Sequence, residues 1–209
     1  MSSAIGTLCK DLDYSFNDPE LLEDALSHRS FRGNKNNERL EYLGDAALNF
    51  VIAAALFRQN AQAKEGELSR LRANLVRGET LTDLAQEFRL GQYLHLGAGE
   101  VKTGGAQRKS ILADAMEAII GAIYLDGGFA ACERCILRWY KTRLNRLPLP
   151  VYTVLSLEGP AHQQLFKVEC RLVGLENKTA MGLGHSRRRA EQEAAEAILK
   201  QLELTKPNS

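Results

Sequence analysis

Acidic residues recur at helical spacing in the segment ERLEYLGD, which spans residues 38–45. Successive residues of a helix advance by about 100°, so Glu38, Glu41 and Asp45 are expected to lie along one side. Acidic triplets of this kind are more often a solvated helix face than a functional site. The spacing alone therefore leaves both interpretations open.

A second pair of acids, Asp114 and Glu117, stands inside the otherwise apolar segment ILADAMEAII at residues 111–120. No Lys or Arg occurs between Ile111 and Leu125, and buried carboxylates are costly unless a positive charge meets them. If the two acidic helices pack with these sides together, a divalent cation is their natural partner. The alternative, in which Asp114 and Glu117 cap loops or pair with arginines elsewhere, stays open at this point.

The chemistry of the ligands selects the metal. Carboxylate oxygens suit Mg²⁺, with Mn²⁺ as a substitute, and such an ion can activate a water and neutralise charge on a phosphodiester leaving oxygen. Cys132 and Cys135 form a C-x-x-C pattern, but no second pair of zinc ligands accompanies it. We therefore expect a Mg²⁺ site, no zinc site, and no small-molecule cofactor.

The composition is that of an ordinary globular protein. The chain has 209 residues, a formal net charge of +1, 44% hydrophobic and 25% charged residues, which predicts one domain or two small ones. No run of eighteen uninterrupted apolar residues is present, and the first ten residues lack the pattern of a secretory signal. We expect a cytoplasmic protein without membrane association.

The pattern of apolar residues changes near Pro148 and Pro150. Before them, helical periodicity is found in the runs 20–26, 38–57, 67–77, 80–88, 110–125 and 130–144, with a break at Gly127 and Gly128. After them, three alternating β-type runs at 151–157, 165–173 and 178–183 precede a helical run at 186–202. The sequence predicts an all-α domain, residues 1–146, followed by a small α+β domain of order β-β-β-α, residues 147–209.

The segment ERLEYLGDA (38–46) resembles the signature of the ribonuclease III family, the endonucleases specific for double-stranded RNA. The segments SHRS (27–30), EGELSRLRANLV (65–76) and KSILADAMEAIIGAIYLDGG (109–128) also resemble the bacterial members, and the likeness covers nearly the whole chain. The resemblance implies the following site residues. Glu41, Asp45, Asp114 and Glu117 would be metal ligands, Asp45 and Glu117 would act in catalysis, and Glu38 and Glu65 would be accessory acids at the cutting site.

The second predicted domain resembles a double-stranded RNA-binding domain, a module that follows duplex shape through 2′-hydroxyls and phosphates. By this resemblance, His162 in the segment GPAH would meet a 2′-hydroxyl in a minor groove. Arg187, Arg188 and Arg189 would bind phosphates from the start of the last helix. The alternative for the three arginines is a solvated patch, which is less favoured at a helix N-terminus because the helix dipole disfavours cations there.

One departure from the family pattern lies between the two predicted domains. Domains of this kind begin with a helix before their first strand, whereas here the segment KTRLNR (141–146) runs almost directly into LPLP (147–150). We expect the linker and most or all of that helix to be missing. The sheet would lose part of its apolar cover, and RNA binding would be weakened while cleavage stays intact.

These features predict a homodimeric, Mg²⁺-dependent endoribonuclease acting on double-stranded RNA. By resemblance, in-line attack by a metal-activated water would leave 5′-phosphate and 3′-hydroxyl ends with a short 3′ overhang, and the substrates would be ribosomal RNA precursors and messenger RNA. Two other interpretations stay open. One is a protein that binds duplex RNA without cutting it, and the other is a metal hydrolase acting on a small phosphorylated molecule.

Overall fold

A computed structural model of the protein describes residues 3–31, 35–61, 63–145, 150–160, 164–172 and 178–203. The chain divides into two compact units, the first comprising residues 1–58 and 72–144, the second residues 59–71 and 145–209. The domain boundary at 146/147 stays a prediction, and it assigns residues 59–71 to the all-α domain, whereas they pack with the second unit.

Helices account for the regular structure of the chain before residue 145. They are α1 (Ser3–Leu12), α2 (Pro19–Leu26), α3 (Glu38–Gln59), α4 (Glu65–Val76), α5 (Gly78–Glu87), α6 (Ala98–Lys102) and α7 (Lys109–Leu144), with short 3₁₀ turns at Leu90–Gln92 and Gly105–Gln107. The predicted all-α architecture is confirmed. Helices α1 and α6 are not foreseen from the sequence; each contains a glycine, which weakens the helical pattern.

Helix α7 consists of two helical parts that meet at Gly128. This residue has φ 74° and ψ −179°, a conformation that glycine adopts without the steric cost other residues meet. The predicted break at Gly127 and Gly128 is thus confirmed. The later part is fixed in the first unit by Trp139, whose Nε1–H donates to the carbonyl oxygen of Leu12 at 3.0 Å.

Helices α3 and α7 cross at a point where only glycine fits. A Cβ on Gly44 would collide with the carbonyl oxygen of Glu117, and a Cβ on Gly121 would collide with the carbonyl oxygen of Leu40. The two backbones are therefore in direct contact. This crossing brings the acidic residues of α3 beside those of α7.

The second unit contains an antiparallel sheet of three strands in the order β1-β2-β3. The strands are β1 (Pro150–Glu158), β2 (Leu165–Leu172) and β3 (Thr179–Gly184), and helix α8 (Arg187–Glu203) follows them. This confirms the predicted β-β-β-α order. The core between sheet and helix is made of Cys170, Leu172, Ala180, Ala194 and Ile198.

The interval between α7 and β1 is short. Only five residues separate the end of α7 at Leu144 from the start of β1 at Pro150. Val154 and Leu157 pair with β2 residues on the face that α8 covers, yet they are 39% and 51% exposed. Leu199 of α8 is also exposed. Part of the apolar face of this unit therefore lies open, as expected where a covering helix is missing.

A buried ion pair joins residues 59–71 to the sheet of the second unit. Glu67 is buried, and its Oε1 lies 2.9 Å from Nη2 of Arg171 in β2, while its Oε2 accepts a hydrogen bond from the Lys64 amide at 3.0 Å. A buried carboxylate persists when its charge and hydrogen-bonding capacity are met in this way. The start of α4 is thus fastened to β2.

Helices α3 and α7 are each long and apolar enough to cross a membrane by length and composition alone. Core helices of globular proteins pass the same test, and 44% and 56% of the two apolar windows are buried inside the fold. The absence of membrane association therefore stays a prediction.

Candidate metal centre

Three carboxylates from two helices converge at the crossing of α3 and α7. Carboxylate oxygens of Glu41, Asp114 and Glu117 all lie within 4.8 Å of one another, and all three residues are half-buried. In the part of the chain that the structure describes, this is the one group of three or more metal-type ligands found. The predicted meeting of the two acidic helices is therefore present in the fold.

These acids line a cavity of about 710 Å³, and two further predicted acids share its wall. Asp45 lies on the same side of α3, and its Oδ1 accepts a hydrogen bond from Nδ2 of Asn49 at 2.9 Å. Glu38 begins α3, and its Oε1 lies 3.5 Å from Nη1 of Arg29. The five acids predicted from the two acidic motifs thus line one cavity, and Glu100 adds a sixth carboxylate to its wall.

The alternative of a purely structural pairing for Asp114 and Glu117 is not supported. Within residues 3–31, 35–61, 63–145 and the described parts beyond, no ion pair joins either carboxylate to a Lys or Arg. The cluster accumulates negative charge without a side chain that neutralises it directly.

The electrostatic cost of this arrangement is visible in the pKa values. Burial, together with the neighbouring charges of Asp45, Glu41 and Asp114, raises the pKa of Glu117 to about 8. Burial also raises the pKa of Glu41 and that of Asp114, although His28 and Arg29 partly offset the effect at Asp114. Carboxyl groups that resist ionisation in this way are stabilised as anions by a bound cation.

The donor set fits a hard divalent ion. Every candidate ligand is a carboxylate oxygen, which suits Mg²⁺ or Mn²⁺ and not zinc. Cys132 and Cys135 are free thiols, and both are buried in α7.

Glu65 is not among the described residues that line this cavity. Glu65 opens α4 within residues 59–71 of the second unit, and one of its carboxylate oxygens accepts a hydrogen bond from the Ser69 hydroxyl at 2.7 Å. Its role as an accessory acid stays a prediction.

The predicted RNA-binding arginines occupy the first turn of α8. Arg187, Arg188 and Arg189 are exposed; Nε of Arg187 donates to Glu191 at 2.8 Å, and the amide of Arg189 donates to the Ser186 hydroxyl at 3.3 Å. His162 lies outside the described residues. The arginines are therefore accessible to a ligand, and their RNA contacts stay a prediction.

The sequence analysis did not identify two features of the first unit. The cavity wall also carries His28, Arg29 and Arg108. Of these, His28 and Arg29 belong to the segment SHRS, which the sequence analysis noted only as part of the family resemblance.

The exposed aromatic residues of α3 are the second feature. Tyr42 and Phe57 on α3 are 81% and 71% exposed. Phe50 lies on the same outer face, where its ring contacts that of Phe129 at 5.6 Å between centroids.

Comparison with known proteins matches both units to described families. A family model described as ribonuclease-III-like matches residues 18–144, and a model of the double-stranded RNA binding motif matches residues 139–202. The two matches overlap at residues 139–144, in the part of α7 that is fixed in the first unit through Trp139.

Similar proteins of full length are found in Shewanella. The proteins named Ribonuclease 3 from Shewanella baltica (strain OS155) and Shewanella amazonensis are each 50% identical, covering 93% of this chain and 95% of the relative. Each alignment extends over 217 positions, more than the 209 residues of the chain, so the relatives contain residues that this chain lacks.

Solved structures of nuclease domains are similar to the first part of this chain. Two solved structures of the nuclease domain of ribonuclease III from Campylobacter jejuni are 43% and 42% identical, with TM-scores of 0.65 and 0.66. They cover 66% and 70% of this chain and are themselves covered to 96% and 99%. With its crossed acidic helices, its β-β-β-α unit and these relatives, the chain belongs to the ribonuclease III family.

Proposed function

We propose that the protein is a divalent-metal-dependent endoribonuclease that cleaves double-stranded RNA. The observation that carries this proposal is the convergence of Glu41, Asp114 and Glu117 in one cavity. Among the described residues, no Lys or Arg forms an ion pair with Asp114 or Glu117. The family membership and the match to a double-stranded RNA binding motif support duplex RNA as the substrate.

In this proposal Glu41, Asp45, Asp114 and Glu117 hold Mg²⁺, for which Mn²⁺ can substitute. When bound, the ion would supply an activated water and would neutralise charge on the leaving oxygen of the phosphodiester. Glu38 orients the water and the strand from the start of α3, and Glu65 is proposed to assist. The products would carry 5′-phosphate and 3′-hydroxyl ends with a short 3′ overhang.

The second unit would hold the duplex. The exposed side chains of Arg187, Arg188 and Arg189 suit phosphate contacts, and His162 is proposed to reach a minor groove. Because only five residues separate α7 from β1, we propose that this unit binds RNA more weakly than a complete domain of its kind.

The first unit would act as a homodimer in the cytoplasm. Tyr42, Phe50 and Phe57 give α3 an exposed aromatic face, and large exposed apolar patches mark protein interfaces. One of the Campylobacter jejuni structures is described by the flexibility of its region involved in dimer formation. By extension from the family, the substrates would be precursors of ribosomal RNA and structured messenger RNA.

A cleavage assay tests the proposal. A labelled RNA duplex is incubated with the parent protein and with Glu117→Gln, in Mg²⁺ and in Ca²⁺, beside a single-stranded RNA of the same sequence. We expect cutting of the duplex by the parent in Mg²⁺ only. Binding of the duplex without Mg²⁺-dependent cutting would instead identify a binding protein, and cutting of nucleotides but not of RNA would identify a small-molecule hydrolase.

A further inference from the structure

Arg108 shares the cavity with the carboxylates, yet neither the acidic motifs nor the metal site accounts for it. The residue immediately precedes α7, and its carbonyl oxygen accepts the first helical hydrogen bond, from the Leu112 amide at 3.1 Å. Asp114 and Glu117 follow on the same helix. The guanidinium therefore stands on the wall of the space that the acids face.

Two contacts hold this guanidinium in place. Nη1 lies 2.8 Å from Oε2 of Glu100 in α6, and Nη2 donates to the hydroxyl of Thr103 at 3.1 Å. A guanidinium has five N–H donors in a fixed plane, so these contacts leave three for a ligand. The side chain is 45% exposed, which leaves it accessible from the cavity.

Arg29, the other arginine of the cavity, is held differently. Its Nη1 lies 3.5 Å from Glu38, and its side chain is 70% exposed. Its charge acts on the acids themselves, because it lowers the pKa of Glu41 and of Asp114. Arg108, in contrast, has a guanidinium that Glu100 and Thr103 hold in place.

We propose that Arg108 binds a backbone phosphate of the RNA strand that is cut, and so positions that strand over the carboxylates; this rests on the proposed function. A polyanion that approaches the six carboxylates of the cavity wall meets strong repulsion, which a fixed cation on the same wall reduces. Arginine suits this role because its planar fork matches two phosphate oxygens. Glu100 and Thr103 orient the fork before RNA arrives.

Single-turnover cleavage by the full-length protein tests the role of Arg108. Arg108→Ala is expected to raise the RNA concentration for half-maximal rate about tenfold, as loss of a charge-assisted contact does. The salt dependence of binding should fall by about one phosphate contact. Arg108→Lys should recover the salt dependence, since it keeps the charge. The Mg²⁺ dependence at saturating RNA should not change.

Arg58→Ala is the matched control, because Arg58 also pairs with a glutamate of the first unit, Glu133 at 3.4 Å, but is not part of the cavity wall. It should leave all of these quantities at the parent values. Thr103→Val keeps the charge of Arg108 and removes one of its supports, so a smaller rise in the half-maximal RNA concentration is expected. This variant also serves if Arg108→Ala does not fold.

Duplexes with one uncharged methylphosphonate linkage locate the contact. One such linkage close to the cut site should weaken binding to the parent in Ca²⁺ but should not weaken binding to Arg108→Ala any further. If the effects of linkage and substitution add at every position, or if Arg108→Ala changes only the Mg²⁺ dependence, Arg108 does not bind a phosphate. Since this arm measures binding alone, it decides the matter even if the parent fails to cut and the proposed function is wrong.

Discussion

The two units differ in how they use their apolar surface. In the first unit, α3 and α7 cross with backbone contact at Gly44 and Gly121, and α3 exposes Tyr42, Phe50 and Phe57. In the second unit, a core of small and medium-sized residues is covered by a single helix, and Val154, Leu157 and Leu199 remain exposed.

This difference indicates that the site of the chemistry and the RNA-binding module respond independently to change. The carboxylate cluster depends only on contacts within the first unit, so a defect in the second should alter RNA affinity and leave the cleavage step intact. Conversely, loss of an acid at the crossing should stop cleavage while duplex binding remains.

Removal of Glu117 should have the largest effect. Because the carboxylate is a proposed metal ligand, and a bound ion contributes several kcal/mol to charge stabilisation, Glu117→Gln should slow duplex cleavage at least about a thousandfold. Gel-shift binding in Ca²⁺ should match the parent. Glu79→Gln, at an exposed acid of α5, is the control and should cut normally. Retention of more than a tenth of the cleavage activity by Glu117→Gln would contradict the assignment of Glu117 as a metal ligand.

The exposed apolar residues of the two units should differ in their role in assembly. Phe50→Asp places a charge in the aromatic face of α3 and is expected to weaken the dimer about a hundredfold, or roughly 2.7 kcal/mol, as measured by analytical ultracentrifugation. Leu199→Asp, at a comparably exposed residue of α8, should leave the oligomeric state unchanged. The reverse result would move the dimer interface to the second unit.

Restoring a helix before β1 should strengthen RNA binding without changing the cleavage rate at saturating RNA. A linker and an amphipathic helix inserted between Leu144 and Pro150 would cover Val154 and Leu157 and provide additional duplex contacts. We expect a gain of about tenfold in duplex affinity, roughly 1.4 kcal/mol. A Gly/Ser insertion of equal length is the control, because it lengthens the connection between the two units without adding a helix. Equal affinities of the parent and the helix-bearing version would show that the short interval does not weaken binding.

The smallest expected effect is a pH dependence of stability that arises in the first unit. In the metal-free protein Glu117 has a pKa near 8 against an ordinary value of 4.5, so between these values the folded state holds a proton that the unfolded chain has lost. Stability should therefore fall as pH rises from 4.5 to 8. Thermal unfolding in EDTA should show a Tm that declines by a few degrees over this range. The decline should be smaller in Glu117→Gln and in excess Mg²⁺, and an unchanged slope in both would contradict the assignment of the effect to Glu117.

Local patterns in the sequence were sufficient to predict most of the fold. Helical and alternating periodicities identify the helices of the first unit other than α1 and α6, and the three strands of the second unit. The i, i+3 spacing of Asp114 and Glu117 places both acids on one side of α7. The packing of residues 59–71 against β2 could not be predicted in this way. It depends on the ion pair between Glu67 and Arg171, which are about a hundred positions apart in the chain.

The candidate site could be predicted only in part, because some of its residues are brought together by contacts between distant parts of the chain. Glu41, Asp114 and Glu117 could be paired because an uncompensated charge in an apolar helix demands a partner, wherever that partner lies. Arg108 gave no such signal, because a cation beside glycines and a lysine is ordinary in a surface loop. Its place on the cavity wall results from contacts with Glu100 and Thr103 that only the folded chain brings about.

The most direct test of the central claim is a titration of the RNA-free protein with Mn²⁺, in which electron paramagnetic resonance counts the free ion. The account predicts saturable binding by the parent that is lost in a Glu41→Gln, Glu117→Gln double variant with an unchanged circular dichroism spectrum. Equal Mn²⁺ binding by the parent and this variant would show that the crossing of α3 and α7 is not a metal site.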